Sequence, residues 1–406
     1  MSIHRPLRFI CISCEYKGID FIKACHAEGN QIYLITSDQL RDKPWPREAI
    51  EDIFFMQEQG EPDDALGRWN LDDLTAGFAH FLRQNPIDRI IALDDFDVEK
   101  AALLREQFRI PGMGQTTCRY FRDKLAMRMK AHEAGIRVPP FSGLFVDTEI
   151  QAYVERGPAP WVIKPRSEAS ATGIRKVHSA DELWQVVHSL GDERHNYLVE
   201  QFKPGAVYHA DALTVDGKVQ FCRVSQYLNT PFEVAHGGGI FRSHTCAFGG
   251  EDDKALQAMN KQVMKAFGMQ FSASHTEFIK AEEDGEFYFL ETASRVGGAH
   301  LAEMVEASSG INLWAEWAKI ETSMAKGTSY KAPKAEKQHA GIVVSLSRFQ
   351  HPDQSVFQDP EICWRIDKEY HVGMIIQAKK RERILELLDN YAERIFSEFH
   401  ASAPSK

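Results

Sequence analysis

The sequence predicts a mixed protein, α/β and α+β, with a parallel α/β domain at its N-terminus. Three observations predict this. Residues 1–95 alternate strand-like and helix-like runs, the order of a parallel sheet with right-handed crossovers. Residues 207–291 alternate apolar and polar side chains and carry two Asp-Gly turns, as antiparallel hairpins do. The chain has 406 residues, 43% hydrophobic and 26% charged, which excludes wholesale disorder. At roughly 150 residues per domain it holds two or three domains.

The elements follow in order. LRFICIS (7–13) is a first strand. GIDFIKACHAEGN (18–30) has helical spacing and stops at Gly29-Asn30. QIYLITS (31–37) is a second strand. After a polar stretch come an amphipathic helix, LDDLTAGFAHFLRQN (71–85), and a third strand, RIIALDD (89–95). PGMGQT (111–116) marks a boundary. RDKLAMRMKAHEAG is a helix stopped by Gly135 and Pro139-Pro140. WVIKP (161–165) and YLVEQF (197–202) are strands around the small polar loop SEASATG (167–173). Beyond 207 the strands are VYHADALTV, KVQFCRVSQY, HTEFIKA and EFYFLET, with turns at 216–219 and 283–287. GGAHLAEMVEASSG (297–310) reads as a helix with a Gly stop. GIVVSLSRF (341–349) is a further strand, and RERILELLDNYAERIFSEF a closing amphipathic helix. The division expected is 1–115, 116–325 with a lid at about 130–200, and 326–406 as a C-terminal α+β part.

Charge and composition narrow the function. A net charge of -10 argues against a general nucleic-acid binder. No run is long and apolar enough to span a membrane, and MSIHRPLRFICISC lacks a signal-peptide pattern. Seven scattered cysteines read as reduced thiols, so a cytoplasmic protein is expected. Walker-type, dinucleotide-binding and nucleophile-elbow fingerprints are absent. Cys11-x-x-Cys14 lacks redox-motif flanks. His275-Thr-Glu277 lacks the downstream P-C-x-x-C of zinc deaminases.

Four features remain. Lys164 sits among apolar strand residues, where an ammonium is costly to desolvate unless it faces an anion; Lys124 precedes it in RDKLAMR. The loop SEASATG is small enough for its backbone N–H groups to approach a phosphate. Glu200, Gln201 and Phe202 end a strand before a Pro-Gly turn, where backbone groups can meet a flat heterocycle. The most specific feature is Glu277 in HTEFI and Glu291 in FYFLETASR. The Asp284-Gly285 hairpin pairs their strands, with 287, 289 and 291 expected on one face. Opposed carboxylates repel. A divalent cation offsets that, and hard oxygen ligands suit Mg²⁺. Arg295 follows, and Gly297-Gly298 are expected to open a helix, which together make an anion site.

These residues, in this order over roughly 120–325, resemble the ATP-grasp superfamily, especially its carboxylate–amine ligases. The resemblance implies an ATP-grasp fold with ATP and Mg²⁺ held between two lobes. Lys124 and Lys164 would contact phosphates and the adenine side. The loop carrying Ser167, Ser170, Thr172 and Gly173 would close over the phosphates. Glu200, Gln201 and Phe202 would hold the adenine edge. Glu277 and Glu291 would ligate Mg²⁺, and Arg295, with Lys164, would stabilise the transferred phosphoryl group. Ala293 stands where the family has a metal-binding Asn, which leaves one or two metal ions open. The family's acidic residue after the hinge is replaced near Val207, which points to His209 or Asp211 as a ribose contact.

The resemblance further implies small-molecule partners, a carboxylate and an amine, joined through an acyl phosphate. An amino acid or small peptide-like metabolite fits. In 228–245, a Gly-rich polar stretch, Arg242 is a candidate for a substrate carboxylate, the alternative being a surface loop. His275 and His300 are candidates for the base an ammonium substrate needs, with structural roles as the alternative. Gly297 and Gly298 are further substrate-side candidates. Neither nucleic acid nor membrane is an expected partner, and a homodimer is compatible with the sequence. The rival readings are a biotin-carboxylase-like carboxylase, a kinase-type enzyme and a non-catalytic nucleotide-binding protein.

Overall fold

Strands β1 (Arg8–Ser13), β2 (Gln31–Ser37), β3 (Asp52–Met56) and β4 (Arg89–Ala92) form a parallel sheet in the order β3-β2-β1-β4. The computed structural model describes residues 5–60, 68–168, 173–230, 234 and 238–401. β1, β2 and β4 are the expected strands. β3 is an addition at the sheet edge, within the stretch that reads as polar. Its side chains are only half-buried, so the apolar signal is weak. Helices Ile19–Ala27 and Leu313–Lys326 cover one face of this sheet, and Leu71–Leu82 and Val98–Phe108 the other.

A second sheet pairs β5 (Phe141–Gly143), β6 (Trp161–Pro165), β7 (Arg175–Val177) and β8 (Tyr197–Gln201) in the order β5-β8-β6-β7. All its pairs are antiparallel. Helices Asp147–Arg156 and Ala180–Leu190 bury Ile150, Leu183 and Val187 against Ile163 and Val199.

The third sheet has eight strands in the order β13-β12-β9-β10-β11-β14-β16-β15. They are β9 (Gly205–Val215), β10 (Lys218–Tyr227), β11 (Phe241–Thr245), β12 (Ser272–Ala281), β13 (Phe287–Ala293), β14 (His339–Leu346), β15 (Ile362–Arg365) and β16 (His371–Ala378). The β9–β10 turn has both Asp216 and Gly217 at positive φ, 49° and 69°, which suits a tight hairpin. Helices Glu251–Ala266 and Arg381–Glu398 pack on this sheet, and Leu301–Ser309 contacts β14 and β16.

Two details correct the sequence reading. The helix expected from Gly297 starts at Leu301, because Ala299 and His300 take positive φ and break the helical path. In the β12–β13 hairpin the register slips: Phe278 opposes Phe289, yet Glu277 opposes Glu291. Leu290 is therefore the extra residue of a β-bulge. Residues 289 and 291 do not share a face. Phe289 joins the core behind the sheet, whereas Leu290 and Glu291 both turn to the cavity.

Candidate active site

Between the second and third sheets lies a cavity of about 740 Å³. Its wall has a charged end, where Lys124, Lys164, Glu277, Glu291 and Arg295 converge, and an apolar end that includes Val162, Ile174, Phe202, Val207 and Ile279. The bulge at Leu290 matters here. It places the two carboxylates opposite one another on one face of the hairpin.

Local sequence sets each side chain. Asp123 caps helix Lys124–Glu133, accepting from the Leu125 and Ala126 amides at 3.0 and 3.3 Å. Lys124 is thereby held at the first helical position, over the cavity. Its ammonium reaches Glu291 Oε2 at 3.0 Å and the Glu168 carbonyl at 2.5 Å. Burial favours the neutral acid of Glu291, yet Lys124, then Lys164, pull it down to about 2. Lys164 is buried on β6 and ion-paired to Glu200; burial lowers its ammonium to about 8 against the pull of that carboxylate. Glu200 also accepts from Arg128 Nε at 2.8 Å. Both its side-chain oxygens are therefore engaged within the protein. Gln201 and Phe202 line the cavity, with Lys176 Nζ 3.6 Å from the Phe202 ring centroid.

Arg295 donates to the Val296 carbonyl at 2.7 Å and pairs with Asp95, just after β4. Burial would lower its pKa, but Asp95 and Asp94 outweigh that and raise it. Its Nε is buried with no hydrogen-bond partner among the described residues. An orphaned guanidinium N–H at a cavity wall is suited to an anionic ligand. Glu277 Oε1 accepts from the Tyr227 hydroxyl at 2.9 Å. His275 lines the cavity beside it. Burial alone would lower the His275 ring, but Asp211, then Glu277, raise it to about 10. Gly298 also lines the cavity.

Several expected residues lie elsewhere. Arg242 turns from the cavity to Asp389 at 2.8 Å and Asn229 at 3.1 Å, because its neighbour Phe241 takes the inward face of β11. His209 is fully buried, bonded to Asp211 and Ser243, so it offers nothing to a ribose; Asp211, equally buried, is bonded to His209 and His275. Gly297 packs against Asp211 and His275 behind the wall. Ser167 and Gly173 do not line the cavity, and Ser170 and Thr172 lie outside the described residues. His300 pairs with Glu303 at 3.0 Å. Sequence reasoning misses Lys176, Tyr227 and Asp95. Lys176 alternates with apolar neighbours in IRKV much as Lys164 does in WVIKP, and that signal is readable. Asp95 meets Arg295 across the whole fold, with no local signal.

No family model matches the chain. An L-arginine-specific L-amino acid ligase of Bacillus subtilis is 27% identical over 242 residues, 57% of this chain and 57% of that protein. A D-alanine–D-alanine ligase of Christiangramia forsetii is 23% identical over 222 residues, 52% of this chain and 68% of that protein. The match thus spans little more than half the length of the first of these relatives. Among solved structures, an L-amino acid ligase of Bacillus licheniformis superposes with a TM-score of 0.72 at 19% identity, covering 99% of this chain and 100% of that one. N5-carboxyaminoimidazole synthetase of Staphylococcus aureus, with ADP, gives 0.69 at 15% identity, covering 97% and 98%. Three sheets in this arrangement, a cavity between two of them and this pattern of likeness give the chain an ATP-grasp fold.

Proposed function

We propose that the protein is an ATP-dependent ligase that joins a carboxylate to an amine through an acyl phosphate, with an amino acid as substrate. The observation that carries this is the opposed pair Glu277 and Glu291, set in one cavity with Lys124, Lys164 and Arg295. The sequence likeness to amino acid ligases supports the substrate class.

The donor set fits a magnesium–nucleotide complex. Two carboxylates face each other across a ladder, a repulsive arrangement that Lys124 offsets in this structure. Glu277 and Glu291 would hold Mg²⁺, whose chemistry there is to neutralise phosphate charge. Ala293 has no ligand atom to add. The apolar end, with Phe202 and Val207, suits a flat base; the amides of Gln201 and Phe202 are already spent on the Pro140 and Pro160 carbonyls, at 2.8 and 3.1 Å.

A carboxylate is a poor acyl donor because its leaving group would be oxide. In the proposed reaction its oxygen attacks the γ-phosphorus of ATP, and ADP departs. An amine nitrogen then attacks the acyl carbon of the acyl phosphate; inorganic phosphate leaves and the nitrogen loses a proton. Lys164 and Arg295 stabilise charge on the transferred group, and the cavity aligns the reactants.

The test is a phosphate-release screen with Mg-ATP and pairs of amino acids, followed by product mass. A product at the summed mass of both reactants minus water supports the ligase. Bicarbonate-dependent release assigns a carboxylase instead, a phosphorylated product assigns a kinase, and nucleotide binding without any release assigns a non-catalytic role.

A further inference from the structure

Behind the cavity wall lies a buried polar row that the ligase chemistry above leaves unused. Asp211 on β9 opposes His275 on β12. Its Oδ1 accepts from His275 Nδ1 at 2.8 Å, and its Oδ2 from His209 Nδ1 at 2.7 Å. His209 Nε2 lies 2.8 Å from Ser243 Oγ on β11. Asp211, His209 and Ser243 are wholly buried. A buried carboxylate is costly even when hydrogen-bonded, and Asp211 sits between Ala210 and Ala212 in a strand that alanine or valine would fill as well.

Of this row, His275 reaches the cavity. A carboxylate only accepts, so the ring spends its Nδ1–H on Asp211 and presents Nε2 to the open side. There Nε2 is 3.5 Å from both the Tyr227 hydroxyl and Glu277 Oε1, and that hydroxyl already donates to Glu277 at 2.9 Å. Nε2 thus has no short partner of its own. Its cross-strand neighbour is Ala293, whose methyl leaves room beside the ring. Gly297 closes the other side. A Cβ there would stand 2.8 Å from Asp211 Oδ1 and 2.9 Å from His275 Nδ1, so its backbone lies directly on that hydrogen bond.

We propose that Asp211, with His209 behind it, is a positioning pair that locks the His275 ring, protonated at both nitrogens, so that its Nε2–H donates to an oxygen of the substrate carboxylate beside Glu277. This rests on the ligase reading and deepens it. His209, Asp211 and His275 also offer ligand atoms within 4.8 Å of one another, the spread of a small metal centre. The 2.7 and 2.8 Å contacts are hydrogen-bond lengths, whereas donors sharing a zinc ion stand roughly 3 Å or more apart.

The experiment uses the full chain with ¹⁵N-labelled histidine. Wild type should show an exchange-protected, low-field imidazole proton that Asp211→Asn abolishes. With Mg-ATP and the amino-acid pair found by the phosphate-release screen, Asp211→Asn should lower kcat tenfold or more while the KM for Mg-ATP stays within about twofold. His275→Gln, whose amide can occupy the Nε2 position, should retain more turnover than His275→Ala. Adding Asp211→Asn to His275→Gln should then cost less than twofold, since no ring remains to be held. An equal loss in both backgrounds is the signature of a merely structural Asp211 and overturns the proposal. So does a low-field proton that survives in Asp211→Asn, or stoichiometric Zn²⁺ uptake by wild type that Asp211→Asn removes. Should Asp211→Asn fail to fold, Gly297→Ala intrudes on the same hydrogen bond and must lower kcat with it; unchanged turnover overturns the proposal. If wild type binds Mg-ATP but turns over no amino-acid pair, the ligase reading fails on its own. The proton then decides the present proposal: it must shift when amino acids are added with a non-hydrolysable Mg-ATP analogue, and an unmoved resonance overturns it.

Discussion

The Lys124 ammonium lies 3.0 Å from Glu291 Oε2, bridging the first turn of a helix to the bulged end of a strand. In the nucleotide-bound protein a metal ion and phosphates would compete for both groups. Lys124→Met should therefore weaken Mg-ATP binding tenfold or more, the scale of one charge-assisted contact at about 1.5–3 kcal/mol. Titration with a fluorescent ATP analogue measures it. Affinity within twofold of wild type would remove Lys124 from the phosphate site.

Glu291→Gln keeps the shape and removes the charge. Carboxylate-dependent ADP release should fall by at least two orders of magnitude, and thermal unfolding should shift down as well, because the ion pair with Lys124 is lost, with the protein still folded at the assay temperature. A coupled ADP assay decides it. Unchanged turnover would withdraw the metal assignment of the Glu277–Glu291 pair.

Arg128 has a different role. Its side chain is fully buried, bonded to Glu200 and to the Leu290 carbonyl. Arg128→Leu removes one partner of a buried network and strips the bulge of its donor. The expected cost is about 3–5 kcal/mol, read from urea unfolding. A loss below about 1 kcal/mol would show that Lys164 alone satisfies Glu200.

His244 gives the pH dependence. It is buried on β11, its ring Nδ1 3.0 Å from the Thr245 carbonyl, and burial depresses it from 6.5 to about 4. As pH falls, the unfolded chain takes the proton first. The stability held by the neutral ring is full above about pH 6.5 and is lost progressively down to about 4. That loss is on the order of 3 kcal/mol. His244→Asn, which can still donate to that carbonyl, should lose correspondingly less between pH 7 and 4.5 in urea melts. Equal losses in both proteins would sink the assignment.

Part of the fold, and part of the candidate site, is legible in the amino-acid sequence. QIYLITS forms β2 over the expected residues, and the Asp284-Gly285 turn joins the expected strands. Both signals are local: side-chain alternation and turn chemistry act over a few residues. Lys164 is legible for the same reason, as a charge set among apolar strand neighbours. Arg242 is not, because strand phase in a short, irregular segment does not say which face is inward. Nor is Gly297, because two glycines look like a helix start, whereas here one of them roofs a hydrogen bond.

The sequence by itself determined the parallel strands β1, β2 and β4, the hairpin that brings two acidic residues together, and the charged residue types proposed to meet phosphate and metal. These follow from periodicity, turn propensity and charge, which are properties of neighbours along the chain. Only the tertiary structure decided that Leu290 bulges so that Glu291 faces the cavity, that Asp95 meets Arg295, and that Asp211 stands behind His275. Those facts depend on contacts between residues far apart in sequence, where packing of whole sheets, rather than any local preference, selects the partner.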